Sequence, residues 1–192
     1  CKEVISGLLD FSRQKEPEMR LSSVNNLIDN VLGMVERQYR KEKIEVVRML
    51  DPNIPDVMMD ARQMEQVVIN ITNNAVFAMK ESVGNTEHAG VLRKGELTVG
   101  SRFHAYKECV EIFIKDTGVG ISKNVLRKIF DPFFTTRKDG KGTGLGLSIS
   151  YGIVKMHDGS IEVDSEIGKG TTFRIFLPLK AKKEQEMCVI KL

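Results

Sequence analysis

The chain has 192 residues, of which 41% are hydrophobic and 29% are charged, a composition typical of one globular domain with its own core. The net charge is +3, and the last fourteen residues hold four lysines against two glutamates, so the body of the chain lacks the basic surface expected of a nucleic-acid-binding protein. No apolar run approaches the ~20 residues of a membrane helix, and the scattered cysteines Cys1, Cys109 and Cys188 argue against a disulfide framework or a zinc site.

The first predicted element is the end of a helix. Residues 1–14 carry an apolar stripe at helical spacing, and the chain starts at Cys1 without an initiator methionine, so we expect it to be part of a longer protein. After a polar break, an i, i+3, i+4, i+7 spacing of apolar residues predicts an amphipathic helix over 22–42. Ser22 or Ser23 is its predicted N-cap.

A strand and a second helix follow in the sequence. Alternating apolar residues near 44–49 predict the strand. Asp60 is the predicted N-cap of the helix, with Gln63 three residues later, and apolar residues at helical spacing continue to Met79. The polar composition of residues 80–95 predicts a loop.

The second half of the chain contains several strands joined mostly by hairpins. Alternation predicts strands near 97–103 and 110–114, then helices near 122–129 and 146–157, and a final hairpin that turns at 168–170. These elements predict an α/β fold, a two-layer sandwich in which a mixed, largely antiparallel sheet packs on helices.

Glycine occupies every second position from 140 to 146, in the segment GKGTGLGLSI directly before a predicted helix. Glycine costs conformational entropy on folding, so this density requires a reason. The segment is either a flexible surface loop or a cradle in which backbone N–H groups bind phosphate in front of a helix N-terminus. Neither the Walker pattern nor the dinucleotide fingerprint occurs, so a phosphate site here would be of a third kind.

Asn70 and Asn74 lie four residues apart on an otherwise apolar helix, so both project from one face. Asparagine is unfavourable inside a helix because its amide competes for backbone hydrogen bonds. The two amides either bridge local backbone in the core or point neutral oxygens into a pocket. In a pocket they would suit a Mg²⁺ ion that already carries phosphate oxygens and water.

Asp116 ends an apolar strand and is followed by Gly118 and Gly120. It is either a simple turn residue or a carboxylate that accepts a hydrogen bond from the exocyclic amine of a flat ring, which the glycines allow to approach. Adenine presents such an amine, whereas guanine presents a carbonyl. The second interpretation therefore predicts selectivity for adenine.

The segment FDPFFTTRKDG at 130–140 carries three phenylalanines around a proline. These aromatic residues either plug the core or anchor a hinged lid, held by Phe130 and Phe133, that closes over a ligand. The polar and basic residues in or beside the segment would then meet phosphate oxygens. They are Thr135, Thr136, Arg137, Lys138 and Lys141.

Taken in order, four of these segments resemble the boxes of a known domain. Asn70–Ala75 resembles the N box, Asp116–Gly120 the first glycine box, Phe130–Phe134 the F box and Gly142–Leu147 the second glycine box. With the closing hairpin GKGTTFRIFLP at 168–178, they identify residues 20–180 as similar to the ATP-binding catalytic domain of sensor histidine kinases. That domain belongs to the GHKL superfamily, which shares the Bergerat ATP-binding fold with gyrase, MutL and a class of chaperone ATPases.

The resemblance implies ATP and Mg²⁺ as cofactors. Asn74 would coordinate Mg²⁺ with Asn70 as a second catalytic residue, Asp116 would bind the adenine amine, and Thr171 would join a water network at adenine. The resemblance also places the following residues at the nucleotide: Gly118, Gly120, Ile121, Phe130, Thr135, Thr136, Arg137, Gly142, Thr143, Gly144, Leu145, Gly146 and Leu147. Relatives outside the kinases tend to carry a water-activating glutamate where this chain has Asn70, which favours phosphoryl transfer over hydrolysis.

Two features depart from the family pattern. Some members carry a phosphate-binding lysine three residues after the Mg²⁺ asparagine, but this chain has Phe77, so lid residues would have to compensate. The acceptor histidine, which in the family precedes a proline on a helix, is absent. His88 and His104 lie in predicted loops or strands, and His157 is expected to be a structural residue at a helix end. We therefore expect the acceptor upstream, with residues 1–14 as the end of a dimerisation helix.

The sequence thus predicts a helix end and linker over 1–19, a catalytic domain over 20–180 and a polar tail over 181–192. The predicted function is transfer of the γ-phosphoryl group of Mg-ATP to a histidine on the dimerisation domain of a homodimeric parent, for relay to a response regulator. This domain is expected in the cytoplasm without nucleic-acid or membrane contact, whether or not its parent is membrane-anchored. The open alternatives are a regulatory ATP-binding module and an ATP hydrolase of the same superfamily.

Overall fold

The computed structural model describes residues 17–86, 95–137 and 142–179. The elements are β1 (Arg20–Ser22), α1 (Val24–Lys41), β2 (Ile44–Leu50), β3 (Val57–Met59), α2 (Ala61–Thr86), β4 (Gly95–His104), β5 (Cys109–Asp116), α3 (Lys123–Leu126), α4 (Gly146–Met156), β6 (Ser160–Glu166) and β7 (Gly170–Pro178). Four sets of residues from the predictions lie outside the described part: the helix end at 1–14, His88, Lys138 with Lys141, and the tail at 181–192.

Five strands form one mixed sheet in the order β2-β4-β5-β7-β6. Strands β2 and β4 pair in parallel because the chain crosses through α2 between them, whereas the other three pairings are antiparallel. Helices cover one face of this sheet, which confirms the predicted α/β fold. Strands β1 and β3 form a separate antiparallel ribbon. This ribbon was not predicted, because three residues carry too little alternation to reveal a strand.

The core lies between that covered face and helices α1, α2 and α4. Alternate residues of β5, such as Ile112 and Ile114, are buried against apolar residues of α2 that include Val67 and Ile71. Full burial of one such side chain contributes about 1.5–3 kcal/mol. The N box and the strand end at Asp116 are therefore fixed to the same core.

Side-chain caps define where the two long helices begin. The Ser23 hydroxyl accepts a hydrogen bond from the Asn26 N–H at 3.3 Å, so Ser23 rather than Ser22 is the N-cap of α1. Asp60 caps α2 as predicted, because its carboxylate accepts from the N–H groups two and three residues later. The backbone of α2 runs to Thr86, so the loop predicted from residue 80 starts later. Polarity alone does not stop a helix.

His157 has the structural role expected of it. Its buried ring accepts a hydrogen bond at Nε2 from the Asp60 N–H at 2.9 Å, and Nδ1 lies 2.8 Å from the Ile153 carbonyl oxygen, to which it donates. The ring thereby ties the end of α4 to the start of α2. These two helices form opposite sides of the cleft described next.

Candidate functional site

A cleft of about 450 Å³ opens between α2, α3 and the start of α4. Helix α2 contributes Asn70, Asn73, Asn74, Phe77 and Ala78, which recur at three- and four-residue spacing and therefore share one face. Asn70 and Asn74 were both predicted to face a pocket, and both line this cleft. Helical periodicity would have found the other three, because each lies three or four residues after Asn70 or Asn74.

The two asparagines make different contacts. Asn70 Nδ2 donates to the Gly146 carbonyl oxygen at 3.2 Å and to Ser150 Oγ at 3.3 Å, both on α4. Asn74 Oδ1 instead accepts a hydrogen bond from Arg137 Nη2 at 2.9 Å. The two interpretations of these amides therefore both apply. Asn70 bridges two helices, and Asn74 presents its oxygen to a group inside the cleft.

Arg137 reaches this position from the segment after the F box. Its guanidinium carbon lies 4.0 Å from the centroid of the Phe77 ring, within the range of a cation–π contact. Thr135 and Thr136 line the same wall. Arg137 thus places a positive charge over the Phe77 ring on the wall of the cleft.

Asp116 lies behind the lining of the cleft and is only 3% exposed. Its Oδ1 accepts hydrogen bonds from the N–H groups of Gly118 at 2.8 Å and Thr171 at 3.2 Å, and Oδ2 has no hydrogen-bond partner among the described residues. Burial raises the pKa of this carboxyl to about 6, although the two backbone hydrogen bonds oppose the rise. Ser165, which sequence reasoning missed, connects Thr171 to the N–H of Ile121 through its hydroxyl.

The glycines of the two boxes allow close contact between backbone segments. Gly144 has φ +68°, and a Cβ there would lie 2.3 Å from the carbonyl carbon of Phe133. Gly120 has φ +71°, and its Cβ would lie 2.1 Å from the Glu166 carbonyl oxygen. A side chain at either position would force these segments apart. Close packing therefore accounts for part of the glycine content that the sequence displays.

The start of α4 presents backbone donors to the cleft. Gly146 and Leu147 line it, and none of the described side chains caps the first turn of this helix. The first N–H groups of a helix lack intrahelical partners and carry partial positive charge, so an anion in the cleft would be stabilised there. The described residues contain no group of three His, Cys, Asp or Glu that could hold a metal. A cation in this cleft would therefore depend on neutral oxygens and on the oxygens of a ligand.

The F box anchors the loop, but not as predicted. Phe130 packs against Tyr151 of α4, with ring centroids 5.2 Å apart. Phe133 was predicted to be the second anchor, and this is wrong, because it adopts a left-handed turn with φ +66° and its side chain is 57% exposed. Phe134 lines the cleft instead.

The predicted site residues fall into two sets. Twelve line the cleft: Asn70, Asn74, Gly120, Ile121, Thr135, Thr136, Arg137, Gly142, Thr143, Gly144, Gly146 and Leu147. Asp116, Gly118, Phe130, Leu145 and Thr171 do not line it in this structure. The apolar wall formed by Val119, Val125, Ile129 and Phe134 was missed, since only the four-residue spacing of Val125 and Ile129 indicated a shared face.

Residues 59–181 match the family model described as histidine kinase-, DNA gyrase B- and HSP90-like ATPase. Sensor kinase CckA of Brucella abortus (strain 2308) is 39% identical over 183 residues, which cover 91% of this chain and 18% of CckA. The chain spans between 18% and 36% of the length of the curated relatives that it matches.

Solved structures of histidine kinases share the fold. The nucleotide-free catalytic domain of histidine kinase ThkA superimposes with a TM-score of 0.70 and 29% identity, covering 84% of this chain and 96% of that domain. ThkA in complex with the response regulator protein TrrA gives a TM-score of 0.72 and 26% identity, covering 93% of this chain and 47% of ThkA.

Proposed function

Since the chain belongs to the family of histidine kinase-, DNA gyrase B- and HSP90-like ATPases and has the sequence and fold of a sensor histidine kinase catalytic domain, we propose that it transfers the γ-phosphoryl group of Mg-ATP to a histidine on a separate domain of its parent. One observation carries the proposal. The cleft joins the Asn74 amide oxygen, the Arg137 guanidinium and the uncapped start of α4 at one end.

Asp116, which lies behind the lining of the cleft in this structure, would suit the exocyclic amine of a flat ring that reaches it. Oδ1 of Asp116 is held by two backbone N–H groups, which orients the carboxylate and leaves Oδ2 to accept from a ligand. Ile121, Val125 and Ile129 supply apolar contact area nearby. These features support ATP as the nucleotide, and they disfavour GTP because guanine offers a carbonyl where the donor is required.

The residues at the other end suit a triphosphate with its metal. Asn74 Oδ1 is the protein oxygen that would complete the coordination of Mg²⁺, and Arg137 and the first turn of α4 would bind phosphate oxygens. The bound Mg²⁺ would neutralise phosphate charge. The chain itself contributes positioning and electrostatic stabilisation, the main elements of phosphoryl-transfer catalysis. Asn70 is an amide tied to α4 and cannot act as a base toward water.

The reaction requires partners beyond this chain. The acceptor imidazole would come from a dimerisation domain of a homodimeric parent, and the ThkA–TrrA complex supports a response regulator as the next phosphate acceptor. None of the described helices combines the length and apolarity needed to cross a bilayer. We place the domain in the cytoplasm, where ATP is available.

Incubation with radiolabelled ATP tests the proposal. The chain alone should remain essentially unlabelled, and adding the parent's dimerisation domain as a separate polypeptide should yield an acid-labile, base-stable phosphate on that domain. Asn74→Ala should abolish the label. Rapid release of inorganic phosphate without labelling would indicate an ATP hydrolase, and nucleotide binding with neither product would indicate a regulatory module. Either result would overturn the kinase assignment.

A further inference from the structure

Phe77 lies on α2 one turn after Asn74, and both side chains contact the same guanidinium. The Arg137 guanidinium carbon is 4.0 Å from the Phe77 ring centroid, and Nη2 donates to Asn74 Oδ1 at 2.9 Å. The two contacts approach Arg137 in different ways, through the face of the ring and through one edge of the guanidinium. They therefore restrain the guanidinium from two sides.

The backbone and the aliphatic part of the Arg137 side chain are confined as well. Its backbone N–H donates to Thr135 Oγ1 at 3.1 Å. A Cβ at Gly142 would lie 2.5 Å from Thr135 Oγ1 and 3.0 Å from Arg137 Cδ, so the absence of a side chain there gives the arginine its space. The first glycine of the second glycine box thus has a local steric purpose.

Among the described residues, the guanidinium of Arg137 has only neutral side-chain partners. No carboxylate among the described residues pairs with it, and its hydrogen-bond acceptor is a neutral amide. The face of an aromatic ring attracts a cation through its quadrupole but carries no net charge. The planar fork of guanidinium donors suits phosphate oxygens.

We propose that Phe77 is a positioning residue for phosphate recognition, because its ring holds Arg137 where the guanidinium faces the cleft and can bind the phosphate groups of a nucleotide. The proposal rests on the proposed nucleotide-binding function. It also implies an exchange of partners. When Asn74 Oδ1 takes the proposed Mg²⁺ ion, the guanidinium would leave the amide and bind phosphate oxygens of the metal-bound nucleotide. The Phe77 ring would stay in contact with the guanidinium during that exchange.

Binding measurements on the 192-residue chain test the proposal. Phe77→Leu keeps an apolar side chain but removes the ring face, and Phe77→Tyr keeps the face as the matched control. We expect Phe77→Leu to bind a non-hydrolysable Mg-ATP analogue about 2- to 30-fold more weakly, as the loss of a cation–π contact predicts, and Phe77→Tyr to bind it like the wild type. Adenosine binding, followed by nuclear magnetic resonance titration at millimolar concentration, should be equal in all three proteins.

A double-mutant cycle separates positioning from general structure. Arg137→Ala should weaken binding of the analogue at least as much as Phe77→Leu, and the double variant should lose little more than Arg137→Ala alone. Three results would each overturn the proposal. The losses of the two single variants could add up in the double variant, Phe77→Leu could bind the analogue like the wild type, or Phe77→Leu could lose adenosine binding to the same extent. Failure of the wild-type chain to bind adenosine or the analogue would instead refute the proposed function itself.

Discussion

If Asp116 binds adenine as proposed, its raised pKa predicts that adenine binding depends on pH. Burial moves this pKa to about 6, so the carboxylate is ionised above pH 6 and becomes protonated as the pH falls through that value. Adenosine, which lacks phosphate groups that titrate in this range, should therefore bind progressively more weakly below pH 6. Asp116→Asn should cost on the order of 1–3 kcal/mol of binding at pH 7.5 and should show no such pH dependence. Equal affinity for ATP and GTP at pH 7.5 would contradict the role of Asp116.

The same residue should make the fold less stable than it could be. The pKa of Asp116 is about 6 in the folded chain against 3.8 for a free aspartate, so folding disfavours the ionised form. This cost is present above pH 6 and disappears as the pH falls toward 3.8. Asp116→Asn keeps an oxygen for the two backbone donors. It should raise the thermal midpoint at pH 8 and change it less at pH 5, as scanning calorimetry would show. A lower midpoint at pH 8 would mean that the charge stabilises the fold.

Asn74 should discriminate between nucleotides with and without metal. Asn74→Ala removes the proposed Mg²⁺ ligand, so the affinity for Mg-ATP should fall far more than the affinity for metal-free ADP. Isothermal titration calorimetry measures both. Asn73→Ala is the matched control, because Asn73 lines the same cleft but its Oδ1 accepts from the Tyr39 hydroxyl. A loss of helical circular dichroism in Asn74→Ala would point to a structural amide instead.

At the scale of elements, the segment from the F box to α4 is predicted to act as a lid over 131–145. Its two ends meet where the backbone of Phe133 packs on Gly144, so Gly144→Ala should separate them. Limited proteolysis should cut the chain after Arg137 or Lys138, and an ATP analogue should slow that cut. In Gly144→Ala the protection by nucleotide should be lost. Gly152→Ala, at a position with open space on α4, should retain it. Cleavage indifferent to nucleotide in the wild type would argue against a lid.

Helices and strands long enough to repeat their apolar pattern several times were predicted well, and short elements were not. Helix α1 and strand β5 repeat their apolar positions often enough to be recognised, and both lie within a few residues of their predicted bounds. The β1–β3 ribbon and the turn at Phe133 depend on tertiary contacts. Phe133 lies against Gly144, eleven residues away, in a left-handed conformation that no local propensity of phenylalanine indicates.

At the scale of the whole molecule, the motifs contain most of the residues that line the cleft but do not indicate which of them pair. The spacing of Asn70 and Asn74 was sufficient to predict a shared face, since a helix has a fixed period. The contact between Phe77 and Arg137 joins residues 60 positions apart and depends on how the loop after the F box folds over α2. The burial of Asp116 behind the cleft likewise follows from the pairing of β5 with β7, which strand patterns alone do not determine.

The proposed division of the parent between an acceptor domain and this chain leads to a final prediction about rates. Phosphoryl transfer between separate polypeptides should be first order in the dimerisation domain and should not saturate at micromolar concentration, because the covalent link normally supplies the encounter. A short flexible linker gives an effective concentration of about millimolar. The fused protein should therefore transfer phosphate faster than the separate domains do at micromolar concentration. Its rate should equal the rate extrapolated for the separate domains at about millimolar dimerisation domain. Single-turnover kinetics with increasing acceptor domain measures this dependence. Saturation at micromolar concentration would show that the two domains hold each other through a standing interface, and the fusion would then give little further acceleration.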